Sequence, residues 1–452
     1  MNLLKEWWQT WLQDRLLQKV IRNTGYLFSS NTINMLLSII QSSFAAHLLG
    51  VRMLGVLGTI TVFASTINRL FSFRMGELVV KYIGDDLENN QLDRAAAIFK
   101  ASALIEAVSS IFAFIILVLL APYAARYLAD DPETTSWFIL YGLIILGNAV
   151  TETSTGVLHL DNQFRNQAAI NVTQGVLTAA IITWAFLTER GMHTVLLAYL
   201  LGKMILGMGP MILAFRSLER IFGKKWWKAS FSLLPPWREL LRFGMGTNLS
   251  ATINLVVRDS ELLWVAYFLS PVEAGYFKIA VALNNLVLMP ITPFISTTYP
   301  EINRSVVSQK WLQLRGLLRR VSIFSGGWTI AAAAGLVILG KWIIPIYAGP
   351  EYLPAYPAML VLLLGYGMAN ILFWNRALLL AFNLPVFAFK AMLAAGVLKT
   401  ALAFIVVPRF GYVAEAALLS AFFILSVGAI ALRGLKELRQ HEGTLPDEGQ
   451  PA

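Results

Sequence analysis

Long apolar segments along the whole chain are the feature that most constrains its fold. A helix needs about 20 mainly apolar residues to cross a membrane. The sequence contains about twelve such segments, near residues 25–49, 55–83, 97–120, 136–158, 167–188, 193–215, 241–268, 274–299, 321–346, 356–381, 384–407 and 411–433. Only 14% of the residues are charged, which is too few to cover a water-facing surface. The sequence therefore predicts an all-α polytopic membrane protein of about twelve transmembrane helices.

Lys and Arg residues alternate between the two sides of this arrangement. If the odd-numbered helices leave the cytoplasm, the inner side collects the termini and the basic loops. The outer side then contains only Arg52, Arg126, Arg190, Lys341 and Arg409. Cytoplasmic loops are enriched in Lys and Arg. This bias predicts a multi-pass protein of the bacterial inner (cytoplasmic) membrane with both termini in the cytoplasm. It also explains the net charge of +10 without nucleic-acid binding.

The two halves of the chain resemble each other at an offset of 220 residues. TINMLLSIIQSSFAAHLLGVRMLG, from residue 32, aligns with TINLVVRDSELLWVAYFLSPVEAG, from residue 252. The match pairs Asn34 with Asn254 and Gly55 with Gly275; its alternative explanation is chance similarity between two apolar helices. Parallel repeats of this kind occur in transporters that bind substrate between two lobes. We therefore predict two six-helix bundles, related by a pseudo-two-fold repeat around a central cavity.

This division predicts the domain order. The amphipathic segment 1–23 mixes Trp with Lys and Arg, which favours an interfacial helix, and it lacks the apolar core of a signal peptide. The remaining domains are an N-terminal lobe at 24–215, a basic cytoplasmic linker at 216–240, a C-terminal lobe at 241–434 and a polar cytoplasmic tail at 435–452.

Polar residues recur at helical spacing in the predicted first and seventh helices. Ser250, Asn254, Arg258 and Glu261 would share one face of the seventh helix, since residues three and four apart lie above one another. The equivalent positions of the first helix are polar and uncharged. These stripes predict a hydrated cavity lined by Asn34, Ser38, Gln41, Asn254, Glu261 and Asn285.

Cations within the predicted helices need a physical reason, because Arg or Lys at a helix centre costs about 2.5–3.5 kcal/mol. Guanidinium and ammonium groups bind phosphate oxygens, so these cations suggest an anionic cargo such as a diphosphate head group. The predicted substrate contacts are Arg258, Arg69, Lys278 and Arg74. The alternative is structural pairing three residues along a helix, as between Arg74 and Glu77 or Arg258 and Glu261.

Buried carboxylates suit a second task, since a carboxyl group in a low-dielectric site can titrate near neutral pH. The predicted carriers of a coupling H⁺ or Na⁺ are Glu106, Glu152, Glu77 and Asp259. Prolines supply predicted moving parts: Pro290 and Pro293 remove backbone donors within the eighth helix and kink it.

Motifs of soluble chemistry are missing from the sequence. It contains no Cys, no Walker A sequence and no HExxH motif or nucleophile elbow. The four His residues are scattered, which argues against a metal site. We therefore predict that the chain is not an enzyme and uses no cofactor other than the coupling ion.

Several segments together resemble a known family. They include GELVVKYIGDDLENNQLDRAAAIFKASALIEA, NLSATINLVVRDSELLWVAYFLSPVEAGYFKIA, PITPFISTTYPEINR and IIPIYAGPEYLPAYPAMLVLLLG. From about residue 24 to 436 the chain is similar to the oligosaccharide flippases, the Wzx-type polysaccharide-transporter branch of the MOP superfamily. That superfamily also contains the MATE drug exporters and the lipid II flippases.

The resemblance implies a MATE-like fold and a polyprenyl-diphosphate-linked glycan as substrate, flipped by alternating access for surface polysaccharide biosynthesis. It also implies that Arg258, with Arg69, Arg74 and Lys278, contacts the diphosphate or acidic sugars. Membrane lipids and a polysaccharide polymerase or glycosyltransferases would be its partners. The alternatives are an ion-coupled exporter of small amphipathic cations, a lipid II flippase, a membrane glycosyltransferase and a scaffold for a polymerase.

Overall fold

The computed structural model describes residues 15–72, 75–234 and 255–442. Within these ranges every regular element is helical. Before residue 235 the α-helices are α1 Arg15–Phe71, α2 Met75–Glu88, α3 Leu92–Leu128, α4 Thr135–Gly147, α5 Thr151–Leu160, α6 Phe164–Leu187 and α7 Met192–Phe222. α1 contains a sharp kink at Gly50, whose φ of 67° lies in the left-handed region that glycine adopts most easily.

The described part of the chain after residue 254 begins with a π-turn, Leu255–Asp259, and not with a regular α-helical turn. The α-helices that follow are α8 Glu261–Phe268, α9 Pro271–Leu288, α10 Thr292–Val307, α11 Trp311–Ala348, α12 Ala355–Ile371, α13 Asn375–Ala381, α14 Pro385–Phe410 and α15 Tyr412–Glu442.

Several predicted spans consist of two helices separated by a short break. The predicted fourth span is α4 and α5, the eighth is α9 and α10, and the tenth is α12 and α13. Nine stretches of the described residues are long and apolar enough to cross a membrane, and the first of them, 25–88, contains two predicted spans. The predicted all-helical, multi-pass architecture is confirmed.

The helix bounds also confirm the internal repeat. Adding 220 to the bounds of α7, Met192–Phe222, gives 412–442, which are the bounds of α15. In the same way, the end of α3 at Leu128 corresponds to the end of α11 at Ala348. The start of α4 at Thr135 corresponds to the start of α12 at Ala355. The repeat therefore extends well beyond the segment in which the sequence match is visible.

The described residues pack as two compact units. The first unit contains 15–49, 63–126 and 131–234, apart from residues 73 and 74, and the second contains 50–62, 127–130 and 255–442. The segment 50–62 thus belongs by packing to the second unit, although it lies in the first half of the sequence. The domain boundaries that the sequence suggests, and the central cavity, stay predictions.

Each unit has its own apolar core, and both units expose large apolar side chains. The core of the first unit includes Met75, Val79 and Phe99, and that of the second includes Ile302, Leu314 and Leu378. Leu187 and Ile346 are 74% and 80% exposed, and many other large apolar residues are exposed along the helices. Lipid chains cover such surfaces, whereas soluble proteins rarely expose contiguous apolar patches of this extent.

Candidate functional site

The first unit contains a cavity of about 200 Å³ lined by polar side chains. It lies at the break between α4 and α5, where some backbone groups lack the hydrogen-bond partners that a continuous helix would provide. The polar residues that line it are Asn68, Ser72, Glu106, Ser109, Ser110, Asn148, Thr151 and Glu152. The structure thus brings together Glu106 and Glu152, two of the predicted ion carriers.

Glu106 acts as a cap for α5. Its carboxylate oxygens accept hydrogen bonds from the backbone amides of Glu152 and Thr153, at 2.8 and 2.9 Å. The first amides of a helix have no partner within the helix, and Val150, at the N-cap position of α5, has no side chain that could accept from them. A residue 46 positions earlier in the chain therefore takes the place of a local cap.

Glu152 lies beside Glu106 and has a different partner. The hydroxyl of Ser72 donates to its Oε1 at 2.7 Å. Glu77, the third predicted carrier of this unit, lies in the first turn of α2 and is exposed. The proposed role of these acids in ion coupling stays a prediction.

The predicted polar stripe of the first helix contacts α6. Asn34 Nδ2 donates to the backbone oxygen of Asn171 at 2.8 Å, and Gln41 Nε2 donates to that of Gly175 at 3.0 Å. A Cβ at Gly175 would overlap Asn34 Oδ1, so the glycine is what allows this close approach. Ser38 is exposed and bonds within its own helix. Asn34 and Gln41 thus join two helices, and a role in lining a cavity stays a prediction for all three.

Two cations lie close together in the first unit. Arg69 is exposed near the end of α1, and Lys203 on α7 is near enough for the two positive charges to repel each other. Like charges that approach each other within membrane helices destabilise the protein unless an anion offsets them. Arg74, the other predicted cation of this unit, lies outside the described residues.

Lys278 is a half-buried cation of the second unit. Its side chain lies over Gly58, where an added Cβ would be 2.8 Å from Lys278 Cδ and 3.3 Å from Nζ. Burial removes water from its ammonium group and so disfavours the positive charge. No charged side chain of the described residues compensates for this loss appreciably. Asn285, two turns later on α9, lies on the same face and is exposed.

The π-turn corrects the predicted stripe of the seventh helix. Arg258 is exposed and its Nε lies 3.1 Å from Asp259 Oδ1, whereas Glu261 is 4% exposed. The suggested pairing of Arg258 with Glu261 is therefore wrong. That suggestion assumed α-helical spacing, but a π-turn bonds residues five apart and turns Arg258 away from the face of Glu261. Asn254 and Ser250 lie outside the described residues.

Glu261 instead forms a buried cluster with Lys399 of α14 and Glu415 of α15. Lys399 Nζ lies 2.7 Å from Glu261 Oε2 and 2.6 Å from Glu415 Oε1. All three side chains are at most 6% exposed. The sequence does contain a signal for this cluster, namely a Lys and a Glu within apolar stretches of two neighbouring helices, Lys399 and Glu415, but it does not give their partners.

Pro290 lies in the break between α9 and α10, and Pro293 lies in the first turn of α10. The predicted interruption of the eighth helix is therefore confirmed for the backbone. The role of both prolines as a hinge stays a prediction.

Residues 20–306, more than half of the 452-residue chain, match the family described as "Polysaccharide biosynthesis protein". The chain belongs to this family. The inner membrane protein YghQ of Escherichia coli (strain K12) is 26% identical over 355 residues, which cover 76% of this chain and 97% of the relative. The resemblance drawn from the sequence is confirmed.

Solved structures of the MOP superfamily share the fold. The lipid II flippase MurJ, in an inward closed conformation, matches with a TM-score of 0.70 and 14% identity, covering 95% of this chain and 94% of MurJ. An inward-facing MATE multidrug resistance transporter matches with a TM-score of 0.64 and 12% identity, covering 91% and 96% of the two chains. A MOP superfamily transporter from Pyrococcus furiosus matches with a TM-score of 0.63 and 11% identity, covering 94% and 96%. The predicted MATE-like fold is thus confirmed.

Proposed function

We propose that this chain flips a polyprenyl-diphosphate-linked oligosaccharide from the cytoplasmic to the periplasmic leaflet of the inner membrane, by alternating access coupled to H⁺ or Na⁺. Membership of a polysaccharide biosynthesis family supports the glycan part of this cargo. The fold shared with a structure named as a lipid II flippase supports a lipid-linked one. The relative named as an inner membrane protein supports the location.

Lys278 is the observation that carries the proposal. No carboxylate of the described residues offsets this half-buried ammonium appreciably. Such a charge costs free energy in a membrane helix, and a bound anion would recover it. Arg69 and Lys203 of the first unit also favour an anionic cargo, because an anion beside two cations that repel each other lowers their energy. A diphosphate offers several oxygens to such groups. Arg258 and Arg74 stay proposed contacts of the same kind.

The topology and partners follow from this function. Both termini would lie in the cytoplasm, as the Lys and Arg distribution indicates. The membrane lipids would hold the polyprenyl tail while the head group crosses. A glycosyltransferase would supply the cargo and a polysaccharide polymerase would consume it, and the protein itself would make or break no covalent bond.

Deletion of the gene tests the proposal in cells. We expect lipid-linked glycan to accumulate on the cytoplasmic leaflet and surface polymer to be lost, with recovery on expression of the wild-type chain. The Lys278→Arg variant should restore polymer better than Lys278→Gln, because only the former keeps the charge. Surface polymer unchanged by the deletion would contradict the proposal.

The polar cavity of the first unit favours a second candidate, an ion-coupled exporter of small amphipathic cations. Glu106 and Glu152 line it, and no Lys or Arg of the described residues does. An exporter predicts that deletion alters sensitivity to cationic drugs and leaves surface polymer intact, which is the reverse of the outcome expected above.

A further inference from the structure

The cluster of Glu261, Lys399 and Glu415 contains more acid than base. With all three groups ionised, two carboxylates face one ammonium and one negative charge remains. Each side chain is nearly or completely buried, so water does not screen that charge. A buried charge without a partner is strongly destabilising, and a bound proton would remove it.

The carboxylate oxygens are arranged to take such a proton. Lys399 Nζ occupies one oxygen of each carboxylate, Glu261 Oε2 and Glu415 Oε1. The other two oxygens, Glu261 Oε1 and Glu415 Oε2, are buried and accept no hydrogen bond from the described residues. The two carboxyl groups contact the same ammonium nitrogen, at 2.7 and 2.6 Å, and so lie side by side. Two neighbouring carboxylates repel each other, and a proton bound to one of them relieves that repulsion.

The surrounding backbone brings Lys399 to this position. A Cβ at Gly396 would lie 3.2 Å from Val257 Cγ1 and would overlap Cγ2, so α14 packs directly on the π-turn. Lys399, three residues later on the same face, then reaches the backbone oxygen of Val257 at 3.4 Å as well as Glu261. Single π-turns within helices occur frequently at functional sites.

Within the part of the chain that the structure describes, few other titratable groups act on the cluster. Tyr366 of α12 is 8% exposed and interacts electrostatically with Glu261 and with the Arg258–Asp259 pair of the π-turn. α9, which also packs on α8, carries Lys278, but the charges that act on Glu261 are those of Lys399 and Glu415. The three members of the cluster come from three different helices: Glu261 from α8, Lys399 from α14 and Glu415 from α15.

We propose that Glu261 and Glu415 share a proton-binding site, with Lys399 as its fixed counter-charge, and that H⁺ taken up here is the coupling ion of transport. The proton comes from water and adds to a carboxylate oxygen, which changes the charge of the cluster from −1 to 0. Na⁺ is disfavoured because the ammonium of Lys399 already lies where a metal ion would contact both carboxylates. The coupling part rests on the proposed function, but the proton-binding part does not.

Protonation also has a mechanical consequence. Lys399 joins α14 to both α8 and α15 through its two ion pairs. A proton on Glu261 converts its ion pair into a weaker hydrogen bond from the Lys399 ammonium to an uncharged carboxyl group and loosens α8, directly after the π-turn. Release of the proton restores the pair, so the occupancy of the site alters the packing of α8.

Infrared spectroscopy of the purified protein tests the site without any substrate. A protonated carboxyl group has a carbonyl band that a carboxylate lacks. We expect such a band near neutral pH, its loss in E261Q or E415Q, and its retention in E273Q, a control that removes another acid of the same unit. K399M should gain a second band, because both carboxylates would then bind protons. A wild-type protein without the band, or a band that persists in both E261Q and E415Q, would overturn the proposal.

Folding and coupling need separate readouts. The folding of each variant is compared with that of the wild type by size-exclusion chromatography and circular dichroism. If one of E261Q and E415Q does not fold, the other is used in its place. In proteoliposomes, a pH gradient should drive wild-type transport but not that of E415Q. Transport driven by Na⁺ alone would overturn the coupling assignment. A wild-type protein that flips no lipid-linked glycan would refute the proposed function and leave the infrared result to decide the proton site.

Discussion

Gly55 and Gly275, which are 220 residues apart and equivalent in the internal repeat, pack backbone against backbone. A Cβ at Gly55 would lie 2.9 Å from the amide nitrogen of Gly275 and would overlap the backbone oxygen of Pro271. A Cβ at Gly275 would likewise overlap the backbone oxygen of Val51. The next repeat-related pair, Gly58 and Lys278, is also in contact. Equivalent positions of the two halves therefore meet within the second unit, and small residues allow their helices to approach.

Gly55→Val or Gly275→Val should destabilise the protein. Backbone atoms cannot move aside as a flexible side chain can, so we expect a loss of at least about 1–3 kcal/mol, the usual effect of overpacking. Thermal unfolding in detergent measures it. Gly335→Ala is the control, since no atom lies within 4 Å of its added Cβ; equal losses in both would contradict the packing argument.

Glu106→Ala should weaken α5. The change removes the acceptor for two backbone amides, and loss of a helix cap costs about 0.5–2 kcal/mol. Thermal unfolding again provides the measurement, with hydrogen exchange at Glu152 and Thr153 as the local readout. Glu152→Ala, which removes only the acceptor for Ser72, is the matched control. Unchanged exchange at those amides in Glu106→Ala would show that the cap is not needed.

Lys399→Met should be far more destabilising alone than when it is combined with E261Q and E415Q. The single change removes the cation from two buried carboxyl groups, which must then take up protons or stay charged without a partner, and the loss of one partner of a buried pair costs about 3–5 kcal/mol. In the triple variant with E261Q and E415Q no charge remains, so most of that stability should return. Melting temperatures of the two variants make the comparison. A triple variant less stable than Lys399→Met would mean that packing, and not charge, dominates here.

Gly58→Val should impair substrate binding as well as folding. An added Cβ at Gly58 would lie 2.6 Å from Leu262 Cδ2 and 2.8 Å from Lys278 Cδ, so the change overpacks a buried position and also displaces the flexible Lys278 side chain with its ammonium. We expect a raised KM for transport together with a loss of stability of about 1–3 kcal/mol. Gly327→Val is the control because no atom lies within 4 Å of its Cβ. An unchanged KM in Gly58→Val would indicate that Lys278 does not contact the substrate.

The sequence predicts the helices of this protein well because membrane spans are recognised by length and apolarity, which need no knowledge of neighbours. It predicts the repeat for a similar reason, since an offset of 220 between Gly55 and Gly275 is visible without a structure. The sequence does not predict the partners of buried charges. Lys399 lies 138 residues from Glu261, and only packing of α14 on the π-turn brings them together.

Local spacing was misleading where the helix is irregular. Arg258 and Glu261 are three residues apart and would be neighbours in an α-helix, but the π-turn separates them. Asn34 and Gln41 read as cavity residues by their polarity, whereas both also bond to α6. Such contacts depend on which glycine, here Gly175, allows two helices to approach.

Flipping by the purified protein tests the central claim most directly. Proteoliposomes would contain a fluorescent polyprenyl-diphosphate oligosaccharide, and a membrane-impermeant quencher would report how much of it reaches the outer leaflet. We predict that wild-type protein equilibrates the label between leaflets, that Lys278→Arg retains more of this activity than Lys278→Gln, and that protein-free liposomes show none. Equal label protection in wild-type and protein-free liposomes would contradict the account.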